Sequence, residues 1–295
     1  MMNQESTILA MLDQLPTLAE VLSRQSQPPV CLYNYYIVLR DRLDMEILLD
    51  FWLDVSQAEI LYKRYLRHAR QNSSAPSTPI PQCSPDSPKS FMTQMDMIEV
   101  LERIYMRYIV PHAEKEIHQL PLLIKQPIVD YFHQTAHDKG LLIDNPTVLY
   151  RDAKDFVYQL LQTTFPLFLQ YKVLMNMTLP QQVGRVGVGL FLLLSGFSFE
   201  FSLIFLDIQP WQKRLWGLLP ILLGVFCLMT SMVGIDPVWA VVLNLSETVP
   251  FQLNTVVQPQ VKKILRKRSL FVSFCILFIT LFIMIAFCLP AGRRL

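Results

Sequence analysis

Apolar positions fall into two regimes along the chain. Up to about residue 175 they recur three and four apart and alternate with charged positions. Beyond it they run together. In the first regime Leu48, Phe51, Trp52, Val55, Tyr62 and Leu66 recur near a helical period, with charged residues over much of the opposite face. Ile98, Leu101, Ile104, Tyr105 and Tyr108 repeat the pattern up to Pro111. Ala153, Phe156, Val157, Leu160, Leu161 and Thr164 do so again before Pro166. Thr7–Arg24 is a weaker helical pattern, which Pro16 is expected to break. Gln27-Pro28-Pro29 then halts the chain, and Leu32–Arg40 is short and aromatic-rich. Asp44 is a candidate cap for the following helix, with Glu46 in its first turn. No stretch sustains a two-residue alternation. The prediction is an all-α domain over 15–175, preceded by an N-terminal segment, 1–14, and long enough for its own core.

The second regime, 176–295, contains three runs near the length of about 20 apolar residues that a hydrocarbon core requires. They are 186–206, broken only by Glu200, then 215–233 and 270–289, both uncharged. As helices they satisfy their own backbone polar groups, the condition for crossing lipid. Trp211, Trp216 and Trp239 flank the second run, where interfacial rings are expected. Lys262, Lys263, Arg266, Lys267 and Arg268 crowd into seven positions just ahead of the third. Basic flanks stay in the cytosol, which places the connection between spans two and three, and the long N-terminal part, inside. Lys213, Arg214, Arg293 and Arg294 then fall outside and oppose this weakly. The five clustered cations also suit anionic lipid headgroups. Glu200 is the ionisable group within the runs, a position that is costly and functional by default. No Lys, Arg or His lies within a run to pair with it, so a helix contact is expected rather than an ion path. Gly184, Gly187, Gly189 and Gly196 allow close backbone approach, without a GxxxG pattern.

Composition sharpens this division. Hydrophobic residues make up 52% of the 295 and charged residues 17%, against about 25% charged in a soluble domain, which excludes a disordered or purely soluble chain. The part before Asn176 carries 16 basic and 20 acidic residues, and the remainder 10 and 4. Cys31, Cys83, Cys227, Cys275 and Cys288 are odd in number and show no CxxC spacing, so a disulfide framework is not expected. Met1–Gln14 is polar and acidic, so no secretory signal is expected there. Between Gln71 and Ser90, five prolines and six serines predict a disordered insert. Its Thr78-Pro79, Ser84-Pro85 and Ser87-Pro88 pairs have the form of proline-directed phosphorylation sites.

Catalytic chemistry is hard to find. Asp130, His133 and His137 have a metal-compatible helical spacing, but no fourth ligand is indicated and a solvated face is the expected role. There is no glycine-rich phosphate loop and no G-x-S-x-G elbow. The basic run abuts an apolar span, which favours lipid over nucleic acid. Neither a cofactor nor an enzymatic activity is expected.

Three segments of the helical half carry a resemblance. The first is Leu32-Tyr33-Asn34-Tyr35-Tyr36 with Leu49-Asp50-Phe51-Trp52-Leu53-Asp54-Val55. The second is Arg103-Ile104-Tyr105-Met106-Arg107-Tyr108-Ile109 with Ala113-Glu114-Lys115-Glu116-Ile117. The third is Asp152-Ala153 through Val157-Tyr158-Gln159-Leu160-Leu161 to Phe165-Pro166-Leu167-Phe168-Leu169. In this order they resemble the RGS family over roughly 15–172, which implies a helical bundle that binds Gα subunits. With three spans behind it, and Leu15-Pro16-Thr17-Leu18 and Glu20-Val21-Leu22 ahead, the layout resembles the fungal RGS-like membrane proteins of bud-site selection. That resemblance implies a plasma-membrane landmark at growth or division sites, acting with a membrane-protein partner in a polarity complex.

RGS domains accelerate GTP hydrolysis by holding Gα in its transition-state arrangement, without donating a catalytic group. The resemblance places the Gα-contact positions at Ile47, Leu48, His118 and Arg151, where the family has Glu, Asn, Asn and Asp. Leu48 also fits the core stripe. The lost chemistry favours a non-enzymatic scaffold, the alternative being a membrane-tethered activator of a Gα GTPase.

Overall fold

The computed structural model describes residues 15–73, 94–137, 146–206 and 211–289. The N-terminal segment 1–14 and residues 74–90 of the Ser/Pro-rich insert lie outside them, while its first three residues, 71–73, continue a helix rather than being disordered. Ten α-helices are described: α1 (Leu18–Leu22), α2 (Leu32–Val38), α3 (Glu46–Ser73), α4 (Gln94–Tyr108), α5 (Leu122–His137), α6 (Pro146–Leu149), α7 (Arg151–Val173), α8 (Leu179–Phe205), α9 (Leu218–Val233) and α10 (Pro259–Cys288). A hairpin of β1 (Leu245–Val249) and β2 (Gln252–Thr255) precedes α10. The chain forms two compact units, one of residues 39–164 and one of residues up to 38 together with 165 onward. The composition change near 175 therefore falls inside the second of these.

The unit 39–164 is built on aromatic residues from three separated segments of the chain. Phe51, Tyr108 and Tyr150 are fully buried, with the Phe51 ring 5.4 Å from Tyr108 and 6.2 Å from Tyr150, both edge-on. Each phenol has a partner, as burial requires. Tyr108 donates to Asp54 at 2.7 Å and Tyr150 to the Leu101 carbonyl at 2.9 Å. Burial, and for Tyr108 the neighbouring Asp54, pushes both phenols well above the ordinary tyrosine range. Leu48, Leu49, Ile109, Ile117, Ile128 and Leu161 are also fully buried in this unit.

In the other unit, α1 opens with a capping box. The Thr17 hydroxyl accepts from the Glu20 N–H and the Glu20 carboxylate accepts from the Thr17 N–H. Tyr35 of α2 packs on Phe165 and Phe168, at 5.8 and 4.9 Å. Helices α8, the stretch Gln212–Val233 and α10 are long and apolar enough to cross a bilayer. Ile221, Val225, Val272, Ile276 and Met284 form the core between α9 and α10. Where α8 meets α9, the contact depends on missing side chains. A Cβ on Gly224 would lie 2.8 Å from Leu193, and one on Gly196 would lie 2.7 Å from Ile221. Gly184 and Gly187 face open space.

Several expectations are corrected. Asp44 does not cap α3: its φ of 52° is left-handed and turns the chain out of a π-helical segment, Leu39–Leu43, two residues ahead of the helix. Helix α7 runs through Pro166 to Val173, since one missing N–H costs less than uncovering Phe165 and Phe168. The hairpin escaped notice because neither strand alternates: three consecutive residues of β1 are buried and all of β2 is exposed. The basic run 262–268 lies on helix, because α10 begins at Pro259, well ahead of its apolar run.

Candidate functional site

Among the described residues, the most elaborate side-chain arrangement lies at one end of the apolar helices, where α8 and α10 begin and α9 ends. The five-residue passage from α7 to α8 threads through it. Asn176, 1% exposed, uses all its polar groups. Its amide nitrogen donates to the Asp236 carbonyl at 3.0 Å and its amide oxygen accepts the Asp236 N–H at 2.7 Å. Its backbone N–H reaches the Gly234 carbonyl and its carbonyl accepts the Glu247 N–H. Gly234, left-handed at φ 71°, ends α9 and presents that carbonyl.

Two carboxylates complete the joint. One oxygen of Asp236 accepts from the backbone N–H groups of Val238 and Trp239, starting the π-helical segment Val238–Leu243, and the other accepts from Arg185. The Arg185 guanidinium also lies 4.9 Å from the centre of the Trp239 ring. Glu247, 1% exposed, accepts the Thr178 N–H and hydroxyl at 2.8 Å on one oxygen and the Phe251 N–H at 2.8 Å on the other. An anion from the hairpin thus sits at the positive N-terminus of α8. Lys172 of α7 donates to the Glu247 carbonyl and Arg268 of α10 to the Leu174 carbonyl, at 3.1 and 2.7 Å. Both oxygens of each carboxylate are occupied. The arrangement fixes the geometry of the joint.

Glu200 lies toward the other end of α8, fully buried, with neither carboxylate oxygen hydrogen-bonded. It packs on Gly217, where a Cβ would come within 1.9 Å of its Oε1. No Lys, Arg or His lies within the runs, but Arg214, one position ahead of the second, is 5% exposed, interacts electrostatically with Glu200 and donates to the Phe287 carbonyl of α10 at 3.1 Å. Arg214 is thereby withdrawn from the exposed charges that bear on orientation. Arg268 likewise departs from its neighbours. It is half-buried and clasps a carbonyl, whereas Lys263, Arg266 and Lys267 are exposed and Lys262 partly so.

Of the four positions aligned with Gα contacts, Leu48 is buried in the core at 1% exposure. Ile47 is half-buried, and His118 and Arg151 are exposed. Asp130 and His133 are exposed on α5, while the His137 side chain lies outside the described residues. Among the described residues no three metal-ligating side chains converge. Sequence reasoning missed Lys172, Asn176, Arg185, Asp236 and Glu247. The available signal was scarcity: only four acidic residues follow Asn176, and two of them are Asp236 and Glu247.

The chain is thus a predominantly helical protein with three helices able to cross a bilayer and a polar joint at one end of them. Residues 178–250 match the family model of the C-terminal domain of the bud site selection protein RAX1, a stretch that contains Arg185, Asp236 and Glu247. The chain is 25% identical to Protein rax1 of Schizosaccharomyces pombe, over 94% of its own length and 98% of the relative's. No solved structure matches it.

Proposed function

We propose that this chain is a non-enzymatic membrane landmark for bud-site selection and the establishment of cell polarity. The observation that carries the reading is the RAX1 C-terminal match, which falls on the polar joint and the first two apolar helices. The near end-to-end similarity to rax1 supports the same reading for the whole chain. In this reading the three apolar helices cross the plasma membrane at growth or division sites and engage a membrane-protein partner of a polarity complex. The helical part faces the cytosol and is an RGS-like binding module. Its support is that segments carrying the resemblance supply Phe51 and Tyr108 to one aromatic core. With Leu48 buried, GTPase activation lacks one of its four contact positions.

Expression of a tagged chain in Schizosaccharomyces pombe lacking rax1 tests the proposal. The expected result is tag concentrated at growing ends and a restored pattern of polarised growth. Uniform membrane fluorescence with no restoration overturns it. The full chain in nanodiscs should leave single-turnover GTP hydrolysis by Gα unchanged, and clear acceleration would replace the scaffold with an activator.

A further inference from the structure

The connection between α9 and α10 is a folded, outward-facing apolar surface. Within the π-helical segment Val238–Leu243, Val238, Val242 and Leu243 are exposed, Val242 at 69%. Nothing in its polar surroundings requires this. Asp236 already holds the N–H groups of Val238 and Trp239, and buried Ala240 anchors the inner side. The depth of the segment follows from Arg185. That residue lies one position ahead of the apolar run 186–206 and bonds the Asp236 carboxylate from which the segment starts. The segment is therefore level with the edge of the apolar helices, and Trp239 lies under the Arg185 guanidinium there. On the neighbouring α10, Lys262, Lys263, Arg266 and Lys267 occupy the turns just ahead of the apolar run, with no ion-pair partner among the described residues.

We propose that residues 238–243 lie in the bilayer interface, with Val238, Val242 and Leu243 at the acyl boundary, and that the four α10 cations bind anionic lipid phosphates beside them. Aliphatic side chains at the boundary with cations on the headgroup side is the order in which interfacial helices meet anionic membranes. Charge complementarity and continuity with the apolar helices select a lipid surface over a second copy of the chain. The inference rests on the reading of those helices as spans.

The test places a small environment-sensitive fluorescent amino acid by amber suppression at position 242, or at 278 in the α10 apolar run, in the full chain. Each protein is reconstituted in nanodiscs of phosphatidylcholine with phosphatidylserine. Lipids brominated near the headgroup should quench position 242 several-fold more than aqueous iodide does. Omitting phosphatidylserine should reduce that quenching, and replacing the four cations by Gln should abolish the phosphatidylserine effect. Iodide quenching dominant at 242, with 278 still quenched by lipid, overturns the inference and leaves the spans standing. Protection of 242 from both quenchers assigns the surface to protein and also overturns it. Failure of lipid to quench 278 removes the membrane reading itself.

Discussion

Phe51 and its neighbour Trp52 divide the labour of one helical turn. The stripe in the sequence assigns both to the core, yet only Phe51 is fully buried. Trp52 is only partly buried, with the Lys154 ammonium 5.0 Å from its ring centre and bonded to Glu59 at 2.8 Å. Phe51→Ala should cost about 3–5 kcal/mol. Trp52→Ala should cost much less, since it loses a partly exposed cation–π contact and only part of its burial. Denaturant unfolding of the full chain in detergent, followed by proteolysis of the 39–164 unit, compares them, and equal losses would contradict the assignment. Glu116 is expected to impose a pH dependence. The His112 N–H and the Lys125 ammonium bond its carboxylate and hold it below the usual carboxylate range. A depressed folded value means that its contribution is present above the ordinary carboxylate pKa and is lost as pH falls through the folded one. Glu116→Gln should therefore flatten the loss of stability between about pH 6 and pH 3. An unchanged acid limb would show that the bonds are too solvated to matter.

Helix contacts respond to substitution according to what faces each glycine. Gly224 of α9 meets the backbone nitrogen of Leu193 as well as its side chain, so an added methyl must push α8 away. Gly224→Ala should destabilise by about 1–3 kcal/mol, the usual cost of overpacking. Gly187→Ala has open space and gains up to about 1 kcal/mol of helix propensity. Thermal unfolding of the two variants in detergent should move in opposite directions. The sequence made the helices themselves legible, because a helical stripe or a long apolar run needs no tertiary partner to be recognised. It identified four α8 glycines but could not separate Gly189 and Gly196, which pack on α9, from Gly184 and Gly187, which do not. It missed the polar joint for a related reason. Asn176 and Asp236 are 60 positions apart, and neither belongs to a periodic pattern. Asn176 also reads as part of a glycosylation sequon with Thr178, yet its amide is committed at both ends to Asp236.

At the scale of the whole chain, the basic run before the third apolar stretch separates into two functions that composition merges. Replacing Lys262, Lys263, Arg266 and Lys267 by Gln removes exposed charge. At about 1 kcal/mol each, lipid attraction should fall by a few kcal/mol and the orientation signal should weaken. Arg268→Gln instead removes the clasp on the Leu174 carbonyl and should lower thermal stability with little effect on orientation. A C-terminal tag probed from outside intact cells, together with unfolding curves, distinguishes the two. Identical behaviour of the variants would return Arg268 to the charge cluster.

The unit that contains the apolar helices also draws on the beginning of the chain, and this orders events during synthesis. The carbonyl of Pro28 accepts the N–H groups of Val257 and Gln258. Those partners leave the ribosome roughly 230 residues later, which at about 5–20 residues per second is a delay of about 10–45 s. Through that interval the early segment has been made but its docking site has not. Its exposed Tyr35 must wait first for Phe165 and Phe168, and then for the turn that leads into α10. Synthesis of α10 and closure of this N-terminal segment are therefore nearly simultaneous. A translational pause before codon 258 would lengthen the time for which a chaperone must hold the N-terminal segment.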